Sequence, residues 1–213
     1  VVDEQTNFGI WGGEEYTPQN YDGKFRGPVT LRQSLAQSLN IPSIKVLLGM
    51  AGLKDTLKTA EEMGITTLSR NSSSYGQALV LGGGEVNLLE ITSAYGVFAT
   101  EGLSIPPTAI LRVEDYQENV LEENHKTQKR VLETQVARII NSILSDNEAR
   151  APIFGPFSLL YFPNNWAAAK TGTTQDFRDG WVIGYTPYLA AGVWVGNNNN
   201  EPMAREPGVV LAG

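Results

Sequence analysis

The 213-residue chain contains no cysteine. Disulfides, thiol nucleophiles and cysteine-ligated zinc are therefore excluded. Its single histidine, His125, stands in Glu-Glu-Asn-His-Lys, a surface-turn context that offers it no partner. A histidine-dependent triad or a histidine-rich metal site is not expected from it. Positive charge is scarce as well: 16 Lys and Arg against 23 Asp and Glu leave a net charge of −7. The densest basic group, 126–130, lies beside Glu122 and Glu123 and reads as a solvated loop. Phosphate backbones need a basic face, so no nucleic-acid partner is expected. No apolar run approaches the roughly 18–20 residues that span a bilayer. No basic segment followed by an apolar one opens the chain. An enzyme of this composition has to work with Ser, Lys, Asn, Tyr or carboxylates.

What is present suits one globular domain, or a domain with a small subdomain: 41% of residues are hydrophobic, enough for a sizeable core. Residues 1–29 lack helical periodicity and read as an extended loop anchored by aromatics such as Trp11, Tyr21 and Phe25. Thr30-x-x-Gln33 has capping-box spacing and opens a helix to about Ser38, with Leu31, Leu35 and Ala36 as its apolar stripe. Pro42 disfavours helix at Ile41 and suits a first turn, so a second helix is expected over 42–51 and a third over 53–63, stopped by Gly64. The stretch 69–76 reads as a polar loop. Asn87-x-x-Glu90 caps the clearest helix, 88–100, whose largely apolar surface predicts a place at the centre of a helical subdomain. Then come a strand over 109–116, a polar excursion over 117–130 and a helix over 134–147 with Val136, Ile139, Ile140, Ile143 and Leu144 inward. A loop over 149–165 follows. The remainder carries three strands joined by short turns, an antiparallel meander. Helices followed by consecutive strands give an α+β layering: extended over 1–29, mainly helical over 30–165, sheet over 166–213.

Two polar clusters stand out. Lys170-Thr171-Gly172-Thr173 lies on the first of the three strands, where a cation, hydroxyls and a residue without a side chain can hold an anionic peptide end. Ser38-Leu39-Asn40 lies at a sharp junction between two helices. Each alone has a plain structural reading: an exposed Lys with a bulge at Gly172, and a capping and turn pair. In this order and context they match the second and third motifs of the penicillin-binding proteins and serine β-lactamases. The likeness extends over Tyr21-Asp-Gly-Lys-Phe-Arg-Gly-Pro-Val-Thr-Leu-Arg32, Gly84-Glu-Val with Ala94-Tyr95, Ala149-Arg-Ala-Pro-Ile-Phe-Gly155, Asp179-Gly-Trp-Val-Ile-Gly-Tyr-Thr-Pro187 and Val193-Trp-Val-Gly196. Nearly the whole chain thus resembles the transpeptidase domain of a class A, bifunctional penicillin-binding protein.

That resemblance implies a fold with a helical subdomain packed on an antiparallel sheet. It also implies a D,D-transpeptidase that cross-links peptidoglycan stem peptides ending in D-Ala-D-Ala, is acylated by β-lactams and needs neither cofactor nor metal. By position, Ser38 would pass a proton to the leaving nitrogen and Lys170 would lie beside it. Asn40 would bond the substrate amide, and Thr171 and Thr173 would bind the terminal carboxylate beside Gly172. The Thr173 N–H would form half of the oxyanion hole. Asp179 and Trp181 match no catalytic motif and read as a turn acid and a core aromatic. The family's first motif, Ser-x-x-Lys, supplies the nucleophile, and here none of the seven Lys has Ser three residues before it. The expectation is a transpeptidase domain cut at both ends, with the nucleophile segment and the last helix outside it. Such a chain would be inactive alone and paired with the rest of its parent or with another copy. It would sit at the outer face of the cytoplasmic membrane, its anchor elsewhere in the parent. Two alternatives differ in class: a non-catalytic module that holds D-Ala-D-Ala ends, and a serine β-lactamase. No Glu-x-x-Leu-Asn is present to activate a deacylating water, which counts against the second.

Overall fold

The computed structural model describes residues 1–68, 75–125, 127–203 and 208–213. The polar loop expected over 69–76 lies mostly outside that range. The N-terminal stretch is a loop closed by strand pairing at its two ends. Strand β1 (Val2–Asp3) is destined to pair with a strand 24 residues later, and between them β2 (Ile10–Trp11) and β3 (Glu14–Glu15) form a hairpin. The closing strand is β4 (Gly27–Pro28), and the Val29 N–H reaches the Val1 carbonyl at 2.9 Å. Trp11 holds the hairpin down as expected of a packing aromatic. Its ring lies on Gly76, where a Cβ would come within 1.9 Å of it.

Helix α1 (Leu31–Ala36) begins at Thr30 with the reciprocal Thr30–Gln33 capping box in place. Its buried positions are Ser34 and Ala36, and Leu31 is exposed. Helix α2 (Asn40–Val46) starts two residues earlier than expected and continues into a wider π turn over Leu47–Ala51. Ile41 is helical although Pro42 follows it. Its side chain is fully buried, and that burial outweighs a local preference. Helix α3 (Leu53–Glu62) ends before Gly64, which adopts φ +101°. A 3₁₀ segment covers Gly76–Leu81.

Helix α4 (Leu88–Ala99) is capped by the Asn87 side chain on the Leu89 N–H. Glu90 closes no capping box; its carboxylate takes the Thr66 N–H and hydroxyl at 2.8 and 2.7 Å. The helix lies on the sheet, against its third strand, rather than at the centre of a helical subdomain. The single strand and polar excursion expected over 109–130 resolve into more pairing. After β5 (Leu103–Ser104), strands β6 (Arg112–Glu114) and β7 (Val120–Glu123) make an exposed hairpin, and β8 (Lys129–Arg130) returns to β5. Helix α5 (Thr134–Leu144) buries Ala137, Ile143 and Leu144 but leaves Val136 and Ile139 exposed, against expectation. Where a loop was expected, α6 (Asn147–Phe154) forms, because Asp146 caps it through the Ala149 N–H at 2.9 Å. Pro152 lies inside it, and the helix ends two residues later.

The meander is as read: β9 (Ala168–Thr173), β10 (Asp179–Tyr185) and β11 (Ala190–Gly196), all antiparallel, in spatial order β11-β10-β9. One face carries Ala168 and Tyr185 into a core with Leu144, Leu35, Tyr95, Phe98 and Ile140, and Ile183 is buried on the same face. A short helix, α7 (Gly208–Leu211), follows the third strand and packs on β9 and β10. The architecture is α+β.

Candidate active site

Helix α1 cannot simply run on into α2, because the chain has to bury Leu39, which is 1% exposed. The turn is closed by the Leu39 N–H on the Ser34 carbonyl at 3.0 Å and the Ser38 N–H on the Leu35 carbonyl at 3.2 Å. Ser38 sits at φ +57°, in the left-handed region where helix ends usually place glycine. A side chain there costs about 1–2 kcal/mol. The return is direction: the Ser38 hydroxyl leaves the helices and accepts from Lys170 Nζ at 2.7 Å.

Lys170 stands on β9, on the face that meets the helices. Besides Ser38 it donates to the Thr171 carbonyl at 2.7 Å, so both acceptors are neutral. Burial among neutral groups pulls its pKa down to about 8, and the positive charge of Arg150 adds to the effect. Arg150 is a cation 2% exposed on α6. It donates to the Leu160 carbonyl at 3.0 Å and to the Leu144 carbonyl, and burial lowers its own pKa.

Asn40, the first residue of α2, is held twice by the N-terminal loop. Its N–H donates to Asn20 Oδ1 at 2.9 Å and its Nδ2 to the Gln19 carbonyl at 2.7 Å. Asn20 in turn lies on the buried carboxylate of Asp3, with 2.9 Å to each oxygen. Sequence reasoning missed Asp3, Asn20 and Arg150 as contributors to the site. Nothing in the sequence marks a polar residue as buried when a distant loop closure buries it.

Strand alternation arranges the rest. Thr174 N–H donates to the Asp179 carbonyl at 3.1 Å, and antiparallel pairing repeats this at every second residue. The main-chain groups of Thr171 and Thr173 therefore turn away from β10 toward the outer edge of β9. The Thr171 carbonyl meets Lys170 there, and the Thr173 N–H faces the same edge. The Thr171 and Thr173 side chains share the other face of the strand from Lys170. Thr173 Oγ1 accepts the Gly208 N–H at 2.9 Å, which leaves the hydroxyl hydrogen as a donor. Gly172 faces Trp181, and a Cβ would sit 3.3 Å from Trp181 Cβ. Its missing side chain serves the sheet as well as any ligand. Asp179 staples the end of this strand: it accepts from Thr174 Oγ1 at 2.8 Å and Trp194 Nε1 at 2.9 Å. Tyr21 and Phe177 meet edge to face at 6.1 Å, joining the N-terminal loop to the turn after β9. The structure thus brings Ser38, Lys170 and the β9 edge together, with Asn40 two residues along the same junction. The Lys170 ammonium with the Ser38 hydroxyl it meets and the unpaired main-chain groups of β9 lie at one strand edge, an arrangement suited to an extended peptide with an anionic end.

A helical layer on an antiparallel sheet, with Ser-x-Asn at a helix junction facing Lys-Thr-Gly on an edge strand, defines the penicillin-binding class of fold. Residues 1–208 match the family model described as the penicillin binding protein transpeptidase domain, and the chain belongs to that family, the transpeptidase family of peptidoglycan synthesis. It is 37% identical over 197 residues to penicillin-binding protein 1A of Aquifex aeolicus, covering 91% of this chain and 25% of that one. It is 37% identical over 205 residues to penicillin-binding protein 2D of Bacillus subtilis, covering 93% and 28%. The chain thus spans about a quarter of the length of these relatives. Among solved structures, penicillin-binding protein 1A of Haemophilus influenzae superposes with a TM-score of 0.82 at 22% identity, over 98% of this chain and 36% of that one. The PonA1 protein of Mycobacterium tuberculosis, solved with penicillin V, gives 0.74 at 26% identity, over 95% and 56%.

Proposed function

We propose that this chain is part of a serine-type D,D-transpeptidase domain that cross-links peptidoglycan stem peptides. The observation that carries the reading is the 2.7 Å bond from Lys170 to Ser38, residues 132 apart in sequence. In the reaction a serine Oγ from a Ser-x-x-Lys segment gives its proton to that segment's Lys and bonds to the penultimate D-Ala carbonyl carbon. Ser38 passes a proton to the leaving nitrogen as the C–N bond breaks and terminal D-Ala departs. Lys170, charged and hydrogen-bonded to Ser38, keeps that transfer favourable. Asn40 bonds the substrate amide, Thr171 and Thr173 bind the terminal carboxylate beside Gly172, and the Thr173 N–H takes half of the oxyanion. One lost oxyanion donor costs roughly a hundred- to a thousandfold in rate. An amine of a neighbouring stem then resolves the acyl-enzyme. β-Lactams acylate the same serine, in line with the penicillin V complex of PonA1. The parent would work at the outer face of the cytoplasmic membrane. Among the described residues no helix is long and apolar enough to cross a membrane, so the anchor would lie elsewhere in the parent.

These 213 residues contain no Ser-x-x-Lys, which favours a second reading for the chain alone, a non-catalytic D-Ala-D-Ala-binding module. Fluorescent penicillin separates the two. The 213-residue chain is expected to stay unlabelled on a denaturing gel, and a parent carrying Ser-x-x-Lys to be labelled. A labelled band from the chain itself refutes its inactivity. An unlabelled parent refutes the serine mechanism.

A further inference from the structure

We propose that Asn20, oriented by Asp3, is a positioning residue that sets the direction of Asn40. The inference rests on the reading above, in which Asn40 touches the substrate. Asp3 is fully buried and Asn20 is 4% exposed. Asp3 also accepts the Arg26 N–H at 3.1 Å, with the Arg26 guanidinium 3.9 Å away. A carboxylate only accepts hydrogen bonds, so it compels the NH₂ of Asn20 to face it. That NH₂ also reaches the Lys24 carbonyl at 2.8 Å. Oδ1 must then point the other way, and there it takes the Asn40 N–H.

The Asn40 N–H belongs to the first turn of α2, where amides lack a partner inside the helix. Leu39, at the cap position, supplies no side-chain bond. Asn20 is therefore a cap supplied from 20 residues upstream. The Gln19 carbonyl beside it holds the Asn40 side chain, so one dipeptide fixes both the main chain and the amide of Asn40. The helix itself does not depend on this clip. Leu39, Ile41, Ile44 and Leu47 are each no more than 2% exposed and anchor it in the core. What the clip determines is where Asn40 points.

The test uses the parent protein carrying its Ser-x-x-Lys and reads the second-order rate of acylation by a fluorescent penicillin, at a temperature where circular dichroism shows each variant folded. Asn20→Leu is expected to slow acylation by about ten- to a hundredfold, the range for a misplaced catalytic contact. In an Asn40→Ala background the same change is expected to have almost no further effect, since it acts through Asn40. Asn20→Asp alone keeps an acceptor for the Asn40 N–H but loses the NH₂ that meets Asp3 and sets two buried carboxylates against each other, which turns the side chain away. The exchange Asp3→Asn with Asn20→Asp keeps charge and volume and restores a donor–acceptor pair between positions 3 and 20, so it is expected to recover most of the rate that Asn20→Asp alone loses. Should Asn20→Leu fail to fold, Asn20→Asp and the exchange decide the matter. Additive effects with Asn40→Ala, or an exchange no faster than the single change, overturn the proposal. A wild-type parent that is never acylated instead sinks the transpeptidase reading, and the proposal with it.

Discussion

Ser38 and Lys170 each hold a state that the isolated amino acid avoids, one in its backbone and one in its charge. Glycine would fit Ser38's φ of +57° without strain but would give Lys170 no hydroxyl. Ser38→Gly is therefore expected to leave the chain as stable or raise stability by up to about 1 kcal/mol, while slowing acylation of the parent as much as Ser38→Ala does. Thermal melts beside acylation rates check this, and a Ser38→Gly protein with normal acylation contradicts it. Lys170 makes a prediction with a definite sign. Its pKa is about 8 in the fold and 10.5 otherwise, so between those values the unfolded chain binds the extra proton. Stability then rises as pH climbs from about 8 toward 10.5, and below 8 the cost of the buried charge is fully present. Tyr95, raised to about 12, and Tyr185, raised further, keep protons that the unfolded chain sheds above about 10, and act in the opposite sense there. In urea titrations from pH 8 to 10, wild type is expected to gain up to about 2 kcal/mol relative to Lys170→Met. A difference independent of pH would mean that Lys170 is not desolvated.

At the scale of elements, the sheet is set by what glycine leaves out. A Cβ on Gly192 of β11 would meet Thr92 Oγ1 at 2.1 Å and Leu88 Cδ1 at 3.2 Å, so α4 side chains would have to shift to admit it. A Cβ on Gly184 of β10 would find nothing nearer than 3.7 Å, and neither residue has a positive φ. Gly192→Ala is expected to destabilise by about 1–3 kcal/mol, and Gly184→Ala to be neutral or slightly stabilising. Equal melting shifts for the two would mean that α4 does not press on β11. These elements were legible to different degrees. The Thr30–Gln33 box, the Asn87 cap and the three-strand meander carry local signals and formed as read. Helix α6 was hidden by Pro152 and its neighbouring Phe and Pro residues, although Asp146 was available to cap it. Helix α4 was clear as a helix, but its apolar surface could not say whether sheet or helices would cover it. The Ser-x-Asn and Lys-Thr-Gly clusters stood out only together, by their resemblance to a family's motifs, and the fold brings Ser38 and Lys170 into contact. Asp3 and Asn20 were not, because their burial is created by the closure of residues 1–29 onto α2.

For the molecule as a whole, the two halves of the site come from layers that meet only on folding: the Ser38–Asn40 junction from the helices and the Lys170 edge from the sheet. The same sheet has a second edge, and it is of a different kind. On the β9 side, Lys170, Thr171 and Thr173 make a polar border. On the β11 side, Ala-Ala-Gly-Val-Trp-Val-Gly runs for seven residues without a charge or a proline, beside no further strand among the described residues, and Val193 is 45% exposed. Long, flat, uncharged edges are templates for pairing with another chain, and natural sheets protect them with charge, proline or a covering element. The net charge of −7 opposes association only weakly at physiological salt, where the Debye length is about 8 Å. The 213-residue chain is therefore expected to self-associate through β11. Light scattering at micromolar concentration should give a mass above one chain. Val193→Lys, placed on the exposed strand, should return the chain to a monomer while leaving the Lys170 edge untouched. A wild-type chain that stays monomeric would show that the β11 edge is already protected.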